Sequence, residues 1–108
     1  MRPDQHQLDE LVRRIVEAVH PLRIILFGSA ARGETGPDSD VDVMVVMPQG
    51  VDHHQTAGLI YMQFGGLGYP VDVIVATPEQ LDRYRDDIGF VYYDVIREGK
   101  EIYAAAAA

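Results

Sequence analysis

The 108-residue sequence contains no cysteine, which excludes a disulfide framework, a thiolate metal site and a cysteine nucleophile. That absence fits a reducing cytoplasm. Lysine is nearly missing too: Lys100 stands alone, and nine basic side chains face seventeen acidic ones, for a formal charge of −8. An extended nucleic-acid surface is therefore not expected, because nonspecific affinity for phosphate backbones comes from many Lys and Arg contacts. No apolar run approaches the roughly 20 residues that a membrane helix requires. The N-terminus, Met1-Arg2-Pro3-Asp4-Gln5-His6, lacks a basic-then-apolar signal pattern, so the expected location is the cytosol.

What is present fits one folded domain. The length suits a single core, and 47% hydrophobic residues in runs separated by polar breaks is a globular composition. The domain is expected over residues 1–103; the five alanines from Ala104 to Ala108 differ from the rest and read as a non-native or unassigned tail.

Leu8, Leu11, Val12, Ile15, Val16 and Val19 recur at helical spacing and predict a first helix that ends near His20-Pro21. Ile24 to Phe27 is a short apolar run stopped by Gly28, which predicts a strand buried on both faces. Gly, Pro, Asp, Ser and Thr then dominate to Ser39, a loop with room for one helical turn at Ala30-Ala31-Arg32. From Asp40 to Val46 the pattern alternates, so Val41, Val43 and Val45 share one face and Asp40, Asp42 and Met44 the other. A second helix is expected from Asp52 to Phe64, with Ala57, Ile60, Tyr61 and Phe64 as its apolar stripe. Another strand, Pro70 to Ala76, carries Asp72 among valines, and Thr77-Pro78-Glu79-Gln80 has the form of a helix start. A last helix is expected from Ile88 to about Glu98, followed by a short apolar end at Ile102-Tyr103. The fold class is α/β: a short mixed sheet with helices packed mainly on one face.

Three features belong together: Gly28-Ser29 directly after a buried strand, Asp40-x-Asp42 on the next strand, and Asp72 on the third. An Asp-x-Asp pair alone is an ordinary solvated strand face. Aspartate is a poor strand former, however, and three of them at positions otherwise filled by valine call for a local reason. If the two strands are neighbours, the carboxylates converge, repel one another, and are stable mainly as ligands of hard cations such as Mg²⁺ or Mn²⁺. Gly28 lets the backbone approach a phosphate closely, and free amides with the Ser29 hydroxyl can donate to phosphoryl oxygens. In so acidic a chain, cations and backbone amides must supply most of the positive charge a polyphosphate needs. The combination implies phosphoryl or nucleotidyl transfer.

Other motifs fail on inspection. Asp38-x-Asp40-x-Asp42 begins like an EF-hand, but Val43 and Gln49 stand where glycine and glutamate are required. The glycine-rich stretch lacks a P-loop ending, and Phe27-Gly28-Ser29-Ala30-Ala31 is not a nucleophile elbow. His53-His54 would point in different directions at a helix start, and no role is assigned to them.

From Gly28-Ser29-Ala30-Ala31-Arg32-Gly33 to Ser39-Asp40-Val41-Asp42, the chain resembles the nucleotidyltransferase superfamily related to DNA polymerase beta: Gly-Ser, ten residues, then Asp-x-Asp. It looks closest to the minimal nucleotidyltransferases that act as antitoxins to HEPN toxins, and the resemblance runs from the first helix to Tyr103. It implies that Asp40 and Asp42 hold two Mg²⁺ ions, with Mn²⁺ as a substitute, and that Asp72 completes the metal site and helps to deprotonate the acceptor hydroxyl. Gly28 and Ser29 would grip the β- and γ-phosphates of ATP or another NTP. Arg32 would assist with phosphate charge or form a salt bridge to Glu34 or Asp38.

Larger relatives carry helical domains that bind the acceptor, so the resemblance implies an acceptor brought by a HEPN-type partner, in a hetero-oligomer, with a homodimer as an alternative assembly. Two rivals stay open: a binding module that neutralises a toxin by contact alone, and a small-molecule or antibiotic nucleotidyltransferase with its acceptor site built across a dimer.

Overall fold

The structure, a computed structural model, describes residues 3–33 and 40–106. The chain runs α1 (Gln5–Val19), β1 (Arg23–Phe27), α2 (Gly28–Ala31), β2 (Val41–Val46), α3 (His53–Tyr61), β3 (Val71–Ala76), α4 (Pro78–Tyr84), α5 (Val91–Glu98) and β4 (Lys100–Ala104). The described strands form one mixed sheet in the order β3-β2-β1-β4. β1 is antiparallel to both β2 and β4, and β2 is parallel to β3 across the α3 connection.

Strand alternation sends side chains into two cores. Ile24, Leu26, Val41, Val43, Val45, Val71 and Val75 face α1 and α3, where Leu11, Ile15 and Ile60 are fully buried. Ile25, Phe27, Met44, Val46 and Ala76 face the other way and meet Leu81 of α4 and Val95 of α5 in a smaller cluster. The α/β class and mixed sheet are as expected, and the larger core lies on the α1/α3 face. Full burial of one such aliphatic side chain contributes about 1.5–3 kcal/mol, which makes the α1 stripe a principal hold on the sheet.

Local signals set the helix ends. Asp4 accepts the Gln7 amide at 2.8 Å while the Gln7 side chain accepts the Asp4 amide at 3.0 Å, a reciprocal capping box. At the other end His20 adopts φ 48° and donates to the Val16 carbonyl, just before the proline that forbids continuation. Thr77, Pro78 and Gln80 start α4 as their types predict. α3 is shorter than its apolar pattern suggests: Asp52 is its cap rather than its first residue, and turns take over from Met62. α5 begins at Val91, with Phe90 as its N-cap, so Ile88 lies before it. Ile102-Tyr103 belongs to β4, and Ala104, which composition alone assigns to a tail, closes that strand opposite Arg23. Backbone pairing does not depend on the side chain. Among the described residues, no helix is long and apolar enough to cross a membrane.

Candidate active site

Residues paired across a sheet project to the same face, and Phe27, Asp42 and Asp72 form one such row over β1, β2 and β3. The next row toward the middle is Ile25, Met44 and Ile74, covered by α4 and α5. The carboxylates therefore take the place where the apolar cover ends. Asp40 lies two residues before Asp42, on the same side by alternation, close enough for its carboxyl to act on both Asp42 and Asp72. The third acid thus faces the other two.

The titration behaviour follows from this crowding. Burial first, and then the charges of Asp72 and Asp40, push Asp42 above the ordinary carboxylate range, while the Arg32 guanidinium pulls the other way. Asp72 is also raised, chiefly by the hydrogen bond with Asp40, then by desolvation and the Asp40 charge. Both shifts are upward because like charges crowd together at the strand ends and only Arg32 acts against them on Asp42. Among the described residues, no three acidic or imidazole side chains are drawn together as a ready coordination sphere; the carboxylates adjoin without closing around a point.

The turn after β1 borders the same place. Gly28 has φ 70°, and a Cβ there would come within 2.5 Å of Asp42 Oδ2. Only glycine meets both demands, the left-handed backbone and the close approach. Ser29, half-buried, follows in the first turn of α2, where backbone amides have no partner within the helix.

Arg32 ends α2, and its Nη1 lies 3.1 Å from Glu98 Oε2 at the end of α5. The expected partners Glu34 and Asp38 fall outside the described residues. Sequence reading misses Glu98 because the contact joins residues far apart in the chain. Helical spacing groups Tyr61 with an apolar stripe, yet it is 45% exposed and its hydroxyl accepts the Val73 amide of β3 at 2.8 Å. A helical period cannot show that a phenol reaches the edge of a sheet. His53 and His54 sit in the first turn of α3, apart from the carboxylate strand ends. A cavity of about 390 Å³ on the α4/α5 side is lined by Arg23, Ile25, Leu81, Val95 and Glu101, among others. None of the three carboxylates lines it, and the chemistry of the site argues for the strand-end cluster instead.

The model of a family described as the nucleotidyltransferase domain matches residues 8–100. A search of the curated proteins finds no match. A toxin–antitoxin structure solved with AMP-PNP aligns over 91% of this chain and 73% of its own, at 20% identity and TM-score 0.68. A tri-AMPylated HEPN toxin of Shewanella oneidensis in complex with MNT antitoxin aligns over 94% and 72%, at 18% identity and TM-score 0.63. A protein assigned as a minimal nucleotidyltransferase aligns over 89% of both chains, at 25% identity and TM-score 0.59. At 20% and 18% identity, the first two structures establish a shared fold.

Proposed function

The chain belongs to the nucleotidyltransferase domain family, and from that premise we propose that it transfers a nucleoside monophosphate, AMP by preference, from an NTP to a hydroxyl on a HEPN-type partner protein, acting as its antitoxin. The observation that carries this reading is the alignment of Asp42 with Asp72 on adjacent strands, beside the Gly28 turn that approaches the Asp42 carboxylate. The toxin–antitoxin neighbours, one solved with AMP-PNP and one containing an AMPylated toxin, support the choice of nucleotide and of partner class. The transferase unit is taken as residues 1–103, and the work is cytosolic, where ATP and such a partner would meet.

The acids fit a divalent cation. All are hard oxygen donors, and both resolved shifts are upward, as expected of carboxylates short of positive charge. Asp40 and Asp42 would hold two Mg²⁺ ions, with Asp72 completing the set. Bound there, the ions would offset the charge on the attacking and leaving oxygens.

The chain's own residues do the positioning. Amides of Gly28 and Ser29, with the Ser29 hydroxyl, bind the β- and γ-phosphates, and Arg32 adds charge from the end of α2. Asp72, exposed on the outer described strand, takes the acceptor proton as the hydroxyl attacks the α-phosphorus in line and pyrophosphate departs. Holding that line, rather than a covalent enzyme intermediate, supplies much of the rate.

The test is to incubate the purified chain with α-labelled ATP, Mg²⁺ and the protein encoded by the neighbouring gene. Label should appear on the partner and vanish with Asp42→Asn. Undiminished labelling by that variant would refute the site.

A further inference from the structure

We infer that the Tyr61 hydroxyl is itself an acceptor, so that the chain nucleotidylates its own tyrosine; this rests on the nucleotidyl transfer proposed above. Among the described strands β3 is an outer one, with β2 on one side and no strand on the other. Its parallel pairing turns the backbone groups of Val71, Val73 and Val75 outward, because Val41 N–H bonds to Pro70 O and Met47 N–H to Ala76 O on the inner side. Tyr61, from the last turn of α3, covers the middle of that edge: its hydroxyl oxygen accepts the Val73 N–H at 2.8 Å.

Val73 is the residue after Asp72, so the phenol, reaching the strand edge from the α3 side, sits at the backbone step next to Asp72, whose carboxylate projects to the opposite face. The phenol oxygen accepts in this contact, which leaves its own proton free to depart. Tyr61 is 45% exposed, and no described strand lies beyond β3 to separate its hydroxyl from the face where the carboxylates lie. Other tyrosines differ: Tyr69 donates its hydroxyl to the Gln7 carbonyl, and Tyr84 and Tyr92 stack on each other near α4 and α5.

The step balances. Tyr61 Oη attacks the α-phosphorus of the NTP, an Oη–P bond forms, and the bond from the α-phosphorus to the bridging oxygen breaks. Pyrophosphate leaves with that electron pair, and the phenolic proton passes to Asp72 and on to solvent. The acceptor is already tethered to the enzyme, so the encounter is unimolecular.

The test uses the purified full chain with α-labelled ATP and Mg²⁺, with and without the partner protein, followed by peptide mapping. Label should reside on Tyr61, form at a rate independent of protein concentration, disappear with Tyr61→Phe and persist with Tyr84→Phe. Circular dichroism confirms that Tyr61→Phe is folded. In a separate reading without nucleotide or metal, N-acetylimidazole should acetylate Tyr61 faster than Tyr69. Label on the partner with none on this chain overturns the inference and leaves the proposed function standing. Label on another residue of this chain, or a Tyr61 that resists acetylation, also overturns it. Label on neither protein overturns both.

Discussion

Gly28 and Asp42 leave no room for a methyl group between them: a Cβ on the glycine would lie 2.5 Å from the Asp42 Oδ2 atom. Gly28→Ala must therefore place alanine at φ 70°, at about 1–2 kcal/mol, and displace a carboxylate of the proposed site. A misplacement near 1 Å costs on the order of 10²-fold in rate. The variant should melt lower and label the partner about 10²-fold more slowly. Wild-type turnover by Gly28→Ala would mean that the turn does not border the reacting centre.

Asp42→Asn separates function from stability. The carboxylate is held above its ordinary value of 3.8 by burial and by its acidic neighbours, so the folded state prefers the protonated form. That preference is complete below the ordinary value and is lost as pH rises through the raised one. An amide cannot ionise, so the variant escapes the loss. In chelator at neutral pH, Asp42→Asn should melt at or above wild type while its transfer activity disappears, and the difference in melting should close as pH falls toward 3.8. A variant that melts well below wild type at neutral pH would contradict the crowding of these acids.

Cation binding should act on the same groups. A ligand bound only to the folded state stabilises it by RT ln(1 + [L]/Kd), about 2.7 kcal/mol at a hundredfold excess over Kd. Saturating Mg²⁺ should raise the melting temperature of wild type by several degrees, and EDTA should reverse it. Asp42→Asn should show little response. An equal rise in both proteins would place the cation elsewhere.

Much of the fold and of the candidate site is legible in the sequence because it depends on local rules. The alternation from Asp40 to Val46 assigns Val41, Val43 and Val45 to one core and Asp42 and Met44 to the opposite face, and both clusters follow it. Thr77 and Gln80 declare a helix start because capping is a contact three residues long. The pairing of Asp42 with Asp72 is conditional on the strands being neighbours, which no local pattern states; the parallel register supplies it. Arg32 with Glu98 and Tyr61 with the Val73 amide are illegible for the same reason. Each joins separate elements through an exposed polar atom, where no periodic burial leaves a trace.

The α1 stripe gives a stability test remote from the site. Ile15 is fully buried between α1 and the sheet, in the cluster that includes Leu26, Val43 and Ile60. Ile15→Ala should cost about 2–5 kcal/mol, read as a lower denaturation midpoint with little change in denaturant slope. Since Ile15 lies in the core on the face opposite Asp42 and Asp72, the folded fraction should retain wild-type transfer. A loss of activity larger than the loss of folded protein would show that the two faces of the sheet are coupled.

Glu10 provides the pH test of the same helix. Its carboxylate accepts from Arg13 one turn on and from Arg14 Nε at 2.9 Å, and Arg14 also donates to the carbonyls of Gln63 and Gly65 beyond α3. Hydrogen bonds from Arg13 and then Arg14 lower its pKa from 4.5 to about 2. With the folded value below the unfolded one, ionised Glu10 favours the folded state. That contribution is complete above the unfolded value and is lost as pH falls toward the folded one. Glu10→Gln should therefore melt below wild type at pH 7, with the gap closing between about pH 4.5 and about pH 2. High salt should narrow the neutral-pH gap, because exposed pairs are screened. A gap that persists unchanged to the acid end of that window would assign the loss to packing of the side chain rather than to its charge.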